Sequence, residues 1–436
     1  MKNNRTEKSQ NHNQPLEPLN PGILEPFLEV SSLYIHIPFC VKKCSYCDFF
    51  SVPYDASSAH AYTDALCKEL YLKSKSAHRL KTVYIGGGTP SLLPDKCFSR
   101  IFSCLGDNFQ ISHDAEISVE ANPGTLNESK VNLLLSLGVN RMSLGVQSFN
   151  DDELNVLGRI HTADDALRSL GLIRNAGLQN YSLDLIYGIP GQSMDSWRES
   201  ILKAVDCSPM HISTYELTLE KGTPLYNIIR NPPFPPFSKG GADRDSQEIV
   251  IKSPSLLKRG KGRLLNKLTM PEEDLILEMY NNTIDYLARD GYKHYEISNF
   301  ALHGFQCFHN LNYWDRGGYI GAGAGAHSFV NGIRSHNVKD IHDYSERLNN
   351  GLIPETEFLE ISTAEALKEF LFLGLRKTNG ISICKTKLFG VDIISACKEM
   401  LEAGYCEVKH DSLRLTRKGI VLSNSVIVRL FENLGL

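Results

Sequence analysis

The stretch that decides the fold is Tyr34-Ile-His-Ile-Pro-Phe-Cys40-Val-Lys-Lys-Cys44-Ser-Tyr-Cys47, a short apolar run followed directly by three cysteines. The apolar run predicts a β-strand, and the spacing Cys-x3-Cys-x2-Cys places the thiols on the loop that follows it. Soft thiolates at close spacing favour zinc or an iron–sulfur cluster. A cubane 4Fe-4S cluster usually takes four Cys ligands, so three cysteines would leave one iron open to a small molecule.

Two other interpretations of these cysteines stay open on residue chemistry alone. A zinc-stabilised binding protein would need a fourth ligand, either His36 or a distant cysteine. Unligated core cysteines are the second alternative, and the adjacent Lys42 and Lys43 speak against it because they indicate an exposed loop. The zinc alternative explains none of the features found further along the chain.

The bulk composition is ordinary for a soluble globular protein. The chain has 436 residues, 42% hydrophobic and 22% charged, which is enough for two or three domains. Its net charge of −4 gives no reason to expect nucleic-acid binding. We see no early apolar segment and no run long enough to span a membrane, so we expect a cytoplasmic protein that is not an integral membrane protein. The eleven cysteines, an odd number and scattered outside the one cluster, do not suggest a disulfide framework and fit a reducing compartment.

From Ser32 to about Leu219, short apolar strands alternate with amphipathic helices. The predicted strands are Leu33–Ile37, Thr82–Ile85, Glu116–Glu120, Arg141–Val146, Ser182–Ile186 and His211–Leu217. Such alternation predicts parallel strands with right-handed crossovers. Six strand–helix units would form an incomplete TIM-like barrel, a partial (β/α)6 unit.

Polar or glycine-rich residues stand at the carboxyl ends of these strands, where parallel α/β folds place their active sites. Gly86-Gly-Gly-Thr-Pro90, Glu120 and Gln147 stand at the ends of successive strands, and Asp184 lies on the fifth. Glycines let backbone approach a ligand, carboxylates suit hydroxyls or an ammonium group, and Arg159 suits a carboxylate. The alternatives are a plain glycine turn, solvated or ion-paired carboxylates, and an arginine on the helix surface.

The strand-and-cysteine motif, Tyr-x-His-Ile-Pro-Phe followed by CxxxCxYC, resembles the radical S-adenosylmethionine (SAM) superfamily. It most resembles the branch that holds the oxygen-independent coproporphyrinogen oxidases and the haem chaperones. In that superfamily SAM chelates the open iron through its amino and carboxylate groups. The resemblance therefore implies a 4Fe-4S cluster on Cys40, Cys44 and Cys47, and a SAM pocket formed by Tyr34, Tyr46, Gly88, Thr89, Glu120, Gln147, Arg159 and Asp184.

A second motif, His309-Asn310-Leu-Asn-Tyr313-Trp314, precedes a glycine-rich run. A histidine among aromatic side chains offers an axial iron ligand and flat stacking faces, although chemistry alone favours a core histidine with packed aromatics. In the haem chaperones of this branch HNxxYW is the motif associated with haem, so the resemblance implies haem binding by these four residues. Gly321–Gly325 would let a planar ligand or SAM lie close to backbone.

The chain divides into five predicted parts, and the fold class is α/β. Residues 1–30 predict a disordered tail and lead-in, 31–226 the radical-SAM partial barrel, and 227–269 a disordered insertion rich in Pro, Gly and basic residues. Residues 270–355 are expected to form a mixed α+β linker with a helix, a strand and the HNxxYW region. Residues 356–436 are expected to form a small winged-helix-like C-terminal domain, as in the family.

The resemblance implies two candidate functions. A haem chaperone would bind a 4Fe-4S cluster, exchangeable SAM and haem, and would pass haem to an acceptor protein, for which a respiratory, membrane-associated protein is one candidate. An electron donor would be a further partner. The alternative is an oxygen-independent coproporphyrinogen III oxidase, which performs a radical-SAM oxidative decarboxylation in haem biosynthesis. That oxidase has a further cysteine two residues after the third, where this chain has Phe49, so a chaperone without oxidase activity is favoured.

Overall fold

The structure, a computed structural model, describes residues 30–77, 79–230 and 268–436. The predicted tail at 1–30, except Val30, and most of the predicted insertion at 227–269 lie outside these ranges. The first region contains β1 (Val30–Ile37), β2 (Phe39–Cys40), β3 (Val52–Pro53), α1 (Ala56–Lys73), β4 (Leu80–Gly87), α2 (Asp95–Asn108), β5 (Ile111–Ala121), α3 (Glu128–Ser136), β6 (Arg141–Gln147), α4 (Asp151–Val156), α5 (Ala163–Asn175), β7 (Tyr181–Tyr187), α6 (Met194–Asp206), β8 (His211–Glu216) and α7 (Pro224–Arg230).

Two further regions follow along the chain. The middle region contains α8 (Glu273–Arg289), β9 (Lys293–Glu296), β10 (Asn299–Ala301), α9 (Phe308–Trp314), β11 (Gly318–Ala322), β12 (His327–Val330), β13 (Ile333–Asn337), α10 (Ile341–Asn349) and β14 (Glu355–Glu360). The last region contains α11 (Thr363–Gly374), β15 (Ile381–Ser382), α12 (Ile383–Leu388), α13 (Ile393–Ala396), α14 (Lys398–Glu402), β16 (Cys406–Lys409), β17 (Ser412–Leu415), α15 (Arg417–Val421) and α16 (Ser423–Leu434). None of the helices in the described ranges is long and apolar enough to cross a membrane.

A twelve-stranded sheet dominates the fold, in the order β14-β13-β12-β11-β1-β4-β5-β6-β7-β8-β10-β9. Its centre is the run β1-β4-β5-β6-β7-β8, in which every neighbouring pair is parallel. Helices connect these strands, as parallel pairing requires, because a parallel partner can be reached only by a long crossover. The predicted partial (β/α)6 barrel is confirmed, and each of the six predicted strands corresponds to one of these central strands.

The region predicted as a mixed α+β linker, 270–355, contributes strands to the barrel sheet at both sides. Its β11 pairs in parallel with β1, and β12, β13 and β14 continue outward in antiparallel order. On the opposite side β10 pairs antiparallel with β8, and β9 follows. Helix α9, which carries the HNxxYW motif, is therefore held between strands that belong to the barrel sheet.

The central strands alternate between an apolar outer face and a polar inner face, as the two-residue period of a strand requires. On β1 the side chains of Leu33, Ile35 and Ile37 are fully buried in the main core, together with Leu66 of α1. The inner face carries Ser32, Tyr34, His36, Thr82, Tyr84, Glu116, Glu120, Arg141, Ser143, Ser182, Asp184, His211 and Ser213. The barrel interior is thus lined by groups that can hydrogen-bond a ligand or one another.

The C-terminal region forms a small unit with its own hydrophobic core, which includes Leu371, Leu413 and Leu430. Its sheet has the order β15-β17-β16, and the β16–β17 pair is the hairpin predicted at Cys406–Leu415. This arrangement confirms the predicted winged-helix-like domain. Arg417 joins it to the rest of the chain by a paired hydrogen bond to Asp285 of α8, at 2.6 and 2.9 Å.

Candidate functional site

The three cysteines lie at the carboxyl end of β1 and line one cavity of about 450 Å³. The short pairing of β2 with β3 closes the base of their loop, where the Tyr54 amide donates to the Cys40 carbonyl at 2.9 Å. The Cys40 thiol lies 3.7 Å from Thr89 Oγ1, and the Cys44 thiol accepts from Arg159 Nη1 at 3.5 Å. Within the described ranges, no group of three or more His, Cys, Asp or Glu side chains is arranged to hold a single metal ion.

Seven of the eight residues predicted to contact SAM line this same cavity. They are Tyr46, Gly88, Thr89, Glu120, Gln147, Arg159 and Asp184. The eighth, Tyr34, lies deeper in the barrel, where its hydroxyl is 3.0 Å from His36 Nδ1 and its ring stacks on Tyr84 at 6.2 Å. The structure therefore brings the cysteines and seven of the predicted residues together at the carboxyl end of the barrel, and it places Tyr34 beneath them.

The last residue of β4 and the residue that follows it must be glycine, because protein atoms occupy the space of any side chain there. Gly87 has φ +116°, and a Cβ there would lie 2.6 Å from the His36 ring. A Cβ at Gly88 would lie 2.7 Å from the Phe39 carbonyl oxygen. The Gly87 amide donates to Glu120 Oε2 at 3.0 Å, so the loop is fixed to a cavity carboxylate. This is more than a plain glycine turn.

We expect Gly87→Ala to lower the free energy of unfolding by about 1–3 kcal/mol, because the backbone conformation disfavours a side chain. The loss is larger if His36 must also move to make room. Gly106→Ala is the matched control, since a Cβ on that helical glycine of α2 meets nothing within 4 Å. The control should be neutral or stabilising by roughly 0.5–1 kcal/mol. Denaturant unfolding of both variants checks this, and equal stabilities would contradict the steric argument.

Two recessed carboxyl groups face the cavity. Glu120 accepts hydrogen bonds from the Tyr84 hydroxyl at 2.8 Å and from the Gly87 amide, and burial raises its pKa to about 7. Asp184 accepts from the Ser143 hydroxyl at 2.8 Å, and burial raises its pKa as well. A cationic group entering the cavity would favour the charged form of both carboxyls. Neither group is a solvated loop charge.

Arg159 points into the barrel and does not lie on the helix surface, so the surface alternative is wrong. Its Nη2 donates to Asn122 Oδ1 and to the Gly145 carbonyl, both at 2.6 Å, which fixes the guanidinium beside Cys44. Asn122 also donates to Thr89 Oγ1 at 2.8 Å. Sequence reasoning did not select Asn122, although its position directly after β5, two residues beyond Glu120, is the signal that could have found it.

Gln147 adopts the left-handed backbone conformation, with φ 66°, at the end of β6. A non-glycine residue there costs of order 1–3 kcal/mol, and such strain is concentrated at functional sites. The strand pairing shifts register between Gly145 and Gln147, so the chain bends where Gln147 lines the cavity. The bend belongs to the site geometry and could not be inferred from the residue type.

The HNxxYW helix α9 packs into the barrel from the opposite end, near the start of β4. His309 is 1% exposed, and its Nδ1 lies 2.8 Å from Thr82 Oγ1 while its Nε2 lies 2.9 Å from the Tyr313 hydroxyl. Its ring stacks on Tyr84 at 5.1 Å. Burial lowers the pKa of His309 to about 3, so the imidazole is neutral.

His309 is thus a packed, hydrogen-bonded core histidine in this conformation, which was the alternative to an iron ligand. Thr82 Oγ1 donates to Ser32 Oγ, so it accepts from Nδ1–H of the imidazole, and Tyr313 then donates to Nε2. Iron could reach Nε2 only if Tyr313 released it. The other two motif residues, Asn310 and Trp314, are half-buried. Haem contact by the motif stays a prediction.

Glu116, which sequence reasoning missed, anchors the start of α9. Its carboxylate accepts the backbone amides of Phe308 at 3.0 Å and His309 at 3.1 Å, and lies 3.5 Å from the Cys307 thiol. These amides have no partner within the helix, and a carboxylate also favours the positive end of the helix dipole. A buried acidic residue on an inner strand position was the available signal.

Replacing Glu116 with glutamine should lower the free energy of unfolding by about 2–3 kcal/mol, because its two charge-assisted bonds to the first amides of α9 are weakened. Glu365→Gln is the control, since that residue makes the same kind of helix-start contact at the exposed beginning of α11. Thermal unfolding of both variants tests this. A larger loss in the control would mean that Glu116 does not anchor α9.

The glycines 321–325 do not leave room for a ligand, which corrects the expectation that a planar ligand or SAM could lie against them. A Cβ at Gly321 would lie 1.9 Å from the His327 carbonyl oxygen. A Cβ at Gly323, which has φ +103°, would lie 2.5 Å from the His36 carbonyl oxygen. Neighbouring protein atoms already fill this space, so the glycines serve close packing of β11 against β1 and the chain that follows β11.

Comparison with known proteins agrees with this geometry. The family model described as the radical SAM superfamily matches residues 34–204, and that of the HemN C-terminal domain matches residues 361–422. Heme chaperone HemW of Lactococcus lactis is 34% identical over 91% of this chain and 96% of its own length. Heme chaperone HemW of Bacillus subtilis is 34% identical over 91% and 98%.

The solved structure of coproporphyrinogen III oxidase (HemN) from Escherichia coli, a radical SAM enzyme, has the same fold. It superimposes with a TM-score of 0.73 over 94% of this chain and 92% of that chain, at 20% identity. The identity to the HemW proteins, over nearly their whole length, together with the radical SAM match, decides the assignment. The chain belongs to the HemW family of the radical SAM superfamily.

Proposed function

We propose that this chain is a haem chaperone that binds a 4Fe-4S cluster with exchangeable SAM, binds haem, and transfers the haem to an acceptor protein. The observation that carries the proposal is the convergence of Cys40, Cys44 and Cys47 with two recessed carboxyls and an arginine on one cavity. The relatives named heme chaperone HemW support the haem part of it. An electron donor would be needed to reduce the cluster.

The cavity fits the group that the family implies. Three soft thiols suit three iron corners, and when bound the cluster would supply an open iron and a low-potential electron. Glu120 and Asp184 suit the ammonium and ribose hydroxyls of SAM, and Arg159 suits its carboxylate. Tyr46, beside the cysteines, offers an aromatic face for the adenine.

The protonation and hydrogen bonding of His309 suit a haem ligand. A histidine that binds a metal through one nitrogen almost always donates the N–H of the other to a fixed acceptor. His309 is already arranged in this way, because Thr82 accepts Nδ1–H and Nε2 keeps its lone pair. Haem binding would then require Tyr313 to give up its bond to Nε2 and α9 to shift outward.

The HNxxYW helix and the cysteine cavity lie at opposite ends of the barrel, and this separation supports the chaperone over the oxidase. Radical SAM chemistry needs its substrate beside the bound SAM, whereas a carried haem does not need to be there. His309 lies near the start of β4, and the cysteines lie beyond the end of β1. Phe49, where the oxidase has a further cysteine, is 68% exposed on the cavity rim. The shared fold with the oxidase keeps it as the second candidate.

Anaerobic reconstitution of the purified chain, followed by iron, sulfide, zinc and haem quantification, tests the proposal. We expect about four iron and four sulfide per chain, together with stoichiometric haem that moves to an added apoprotein. Zinc in the native protein would instead support a zinc-stabilised binding protein. Decarboxylation of coproporphyrinogen III in the presence of SAM and a reductant would establish the oxidase and contradict the chaperone proposal.

A further inference from the structure

One side chain, Tyr84, touches both the HNxxYW helix and a carboxyl that lines the cavity. The ring of Tyr84 stacks on His309, with centroids 5.1 Å apart and planes 23° from parallel. Its hydroxyl donates to Glu120 Oε1 at 2.8 Å, and Glu120 Oε2 in turn accepts the Gly87 amide at 3.0 Å. A continuous path of direct contacts therefore runs from His309 at one end of the barrel to the glycine loop at the other.

The side chains along this path are closely packed. A Cβ on Gly86 would lie 2.9 Å from both Glu120 Cδ and Tyr84 Cε1, so these two side chains already fill the space beside the strand. The Tyr34 ring lies against both members of the stack, 6.2 Å from the Tyr84 ring and 6.4 Å from the His309 ring. Because packed groups like these change position in discrete steps, a shift of His309 must alter the position or the mobility of Tyr84.

We propose that Tyr84 is a positioning residue that couples the HNxxYW helix to the SAM pocket. When His309 moves away from Tyr84, the hydrogen bond from Tyr84 to Glu120 weakens, and the bond from the Gly87 amide to Glu120 weakens in turn. Occupancy of the motif by haem therefore changes the affinity of the cavity for SAM, and linkage requires SAM to change haem affinity by the same factor. This inference rests on the proposed function, because it needs both ligands to bind.

The mechanical part of the coupling is tested without any ligand. Hydrogen exchange at the Gly87 amide is measured in the unloaded chain for Tyr84→Phe, His309→Ala and the control Tyr319→Phe. Tyr319 meets Tyr313 edge-on at 4.7 Å, but its hydroxyl lies beside Arg334 and Glu369. Tyr84→Phe keeps the stacked ring and removes only the bond to Glu120, so it should fold normally.

Exchange at Gly87 should accelerate about tenfold in both test variants, because the Glu120 carboxylate is no longer held as an acceptor. The control should leave it unchanged. If His309→Ala leaves Gly87 exchange at the wild-type rate while Tyr84→Phe raises it, the stack transmits nothing and the proposal is overturned. An equal rise in all three variants would also overturn it, because it would show general loosening.

The linkage is then measured on the cluster-loaded protein as the SAM dissociation constant with and without haem. Wild type should show at least about a fivefold change, and Tyr84→Phe should bring the ratio close to one. A wild-type ratio of one, or an unchanged ratio in Tyr84→Phe, overturns the coupling while leaving the chaperone proposal intact. Failure of the wild type to bind haem or SAM defeats the proposed function instead, and the coupling of His309 to Gly87 is then decided by the exchange rates.

Discussion

Serine at Cys40, Cys44 and Cys47 together is expected to abolish the broad iron–sulfur absorbance and to bring bound iron and sulfide from about four each per chain to none. The reason is chemical, because a serine hydroxyl stays protonated at neutral pH and is a hard donor that iron–sulfur clusters rarely accept. All three cysteines line one cavity, so the triple variant leaves that cavity without a thiol ligand. Anaerobic absorbance spectroscopy with iron and sulfide analysis measures the result.

Cys384→Ser is the matched control for that experiment, because Cys384 is an exposed cysteine in the C-terminal domain. The control should keep the full complement of iron and sulfide. The triple variant should still fold, since its three residues are only half-buried and lie on a loop and the end of a short strand. If the triple variant retained cluster absorbance, the cluster ligands would have to lie elsewhere in the chain. The argument for a SAM pocket beside these cysteines would then fail.

The sequence predicts those parts of the fold that depend on patterns within a short stretch of chain, such as the alternation of apolar and polar residues in a strand. Leu33, Ile35 and Ile37 alternate with Tyr34 and His36, and this two-residue period already separates the core face of β1 from its inner face. The carboxyl ends of parallel strands share one edge, so residues that follow each strand must meet there. This rule was enough to bring Gly88 and Glu120, at the ends of β4 and β5, to the same cavity, and Asp184 reaches it from an inner position on β7.

The parts that escaped prediction depend on contacts between distant segments. Nothing in a local window indicates that β11 pairs with β1, nearly three hundred residues earlier, or that Glu116 caps α9. The alternating pattern of β4 places Tyr84 on the inner face, but it does not indicate that Tyr84 contacts Glu120 and His309. His309 shows the limit most clearly, because its motif suggests an available ligand whereas tertiary packing buries it between Thr82 and Tyr313.

Replacing His309 with alanine is expected to weaken haem binding by more than about tenfold, since the loss of a ligand should cost at least as much as the loss of its supporting bonds. The remaining motif residues can still stack on a porphyrin, so weak binding with an altered Soret band is expected. Titration of haem into the cluster-loaded protein measures both quantities. His303→Ala is the control, because His303 is an exposed histidine six residues earlier and should not affect either.

The spectrum, rather than the stability, decides what His309 does. Alanine there also removes a buried ring that stacks on Tyr84, so the unloaded variant should lose stability whether or not the histidine ever meets iron. Thr82→Val separates the two roles, because it keeps the ring but removes the acceptor of Nδ1–H and so weakens the imidazole as a ligand. If both variants bound haem with the wild-type affinity and Soret band, the buried histidine would be a packing residue, and the iron ligand would have to be sought outside the HNxxYW helix.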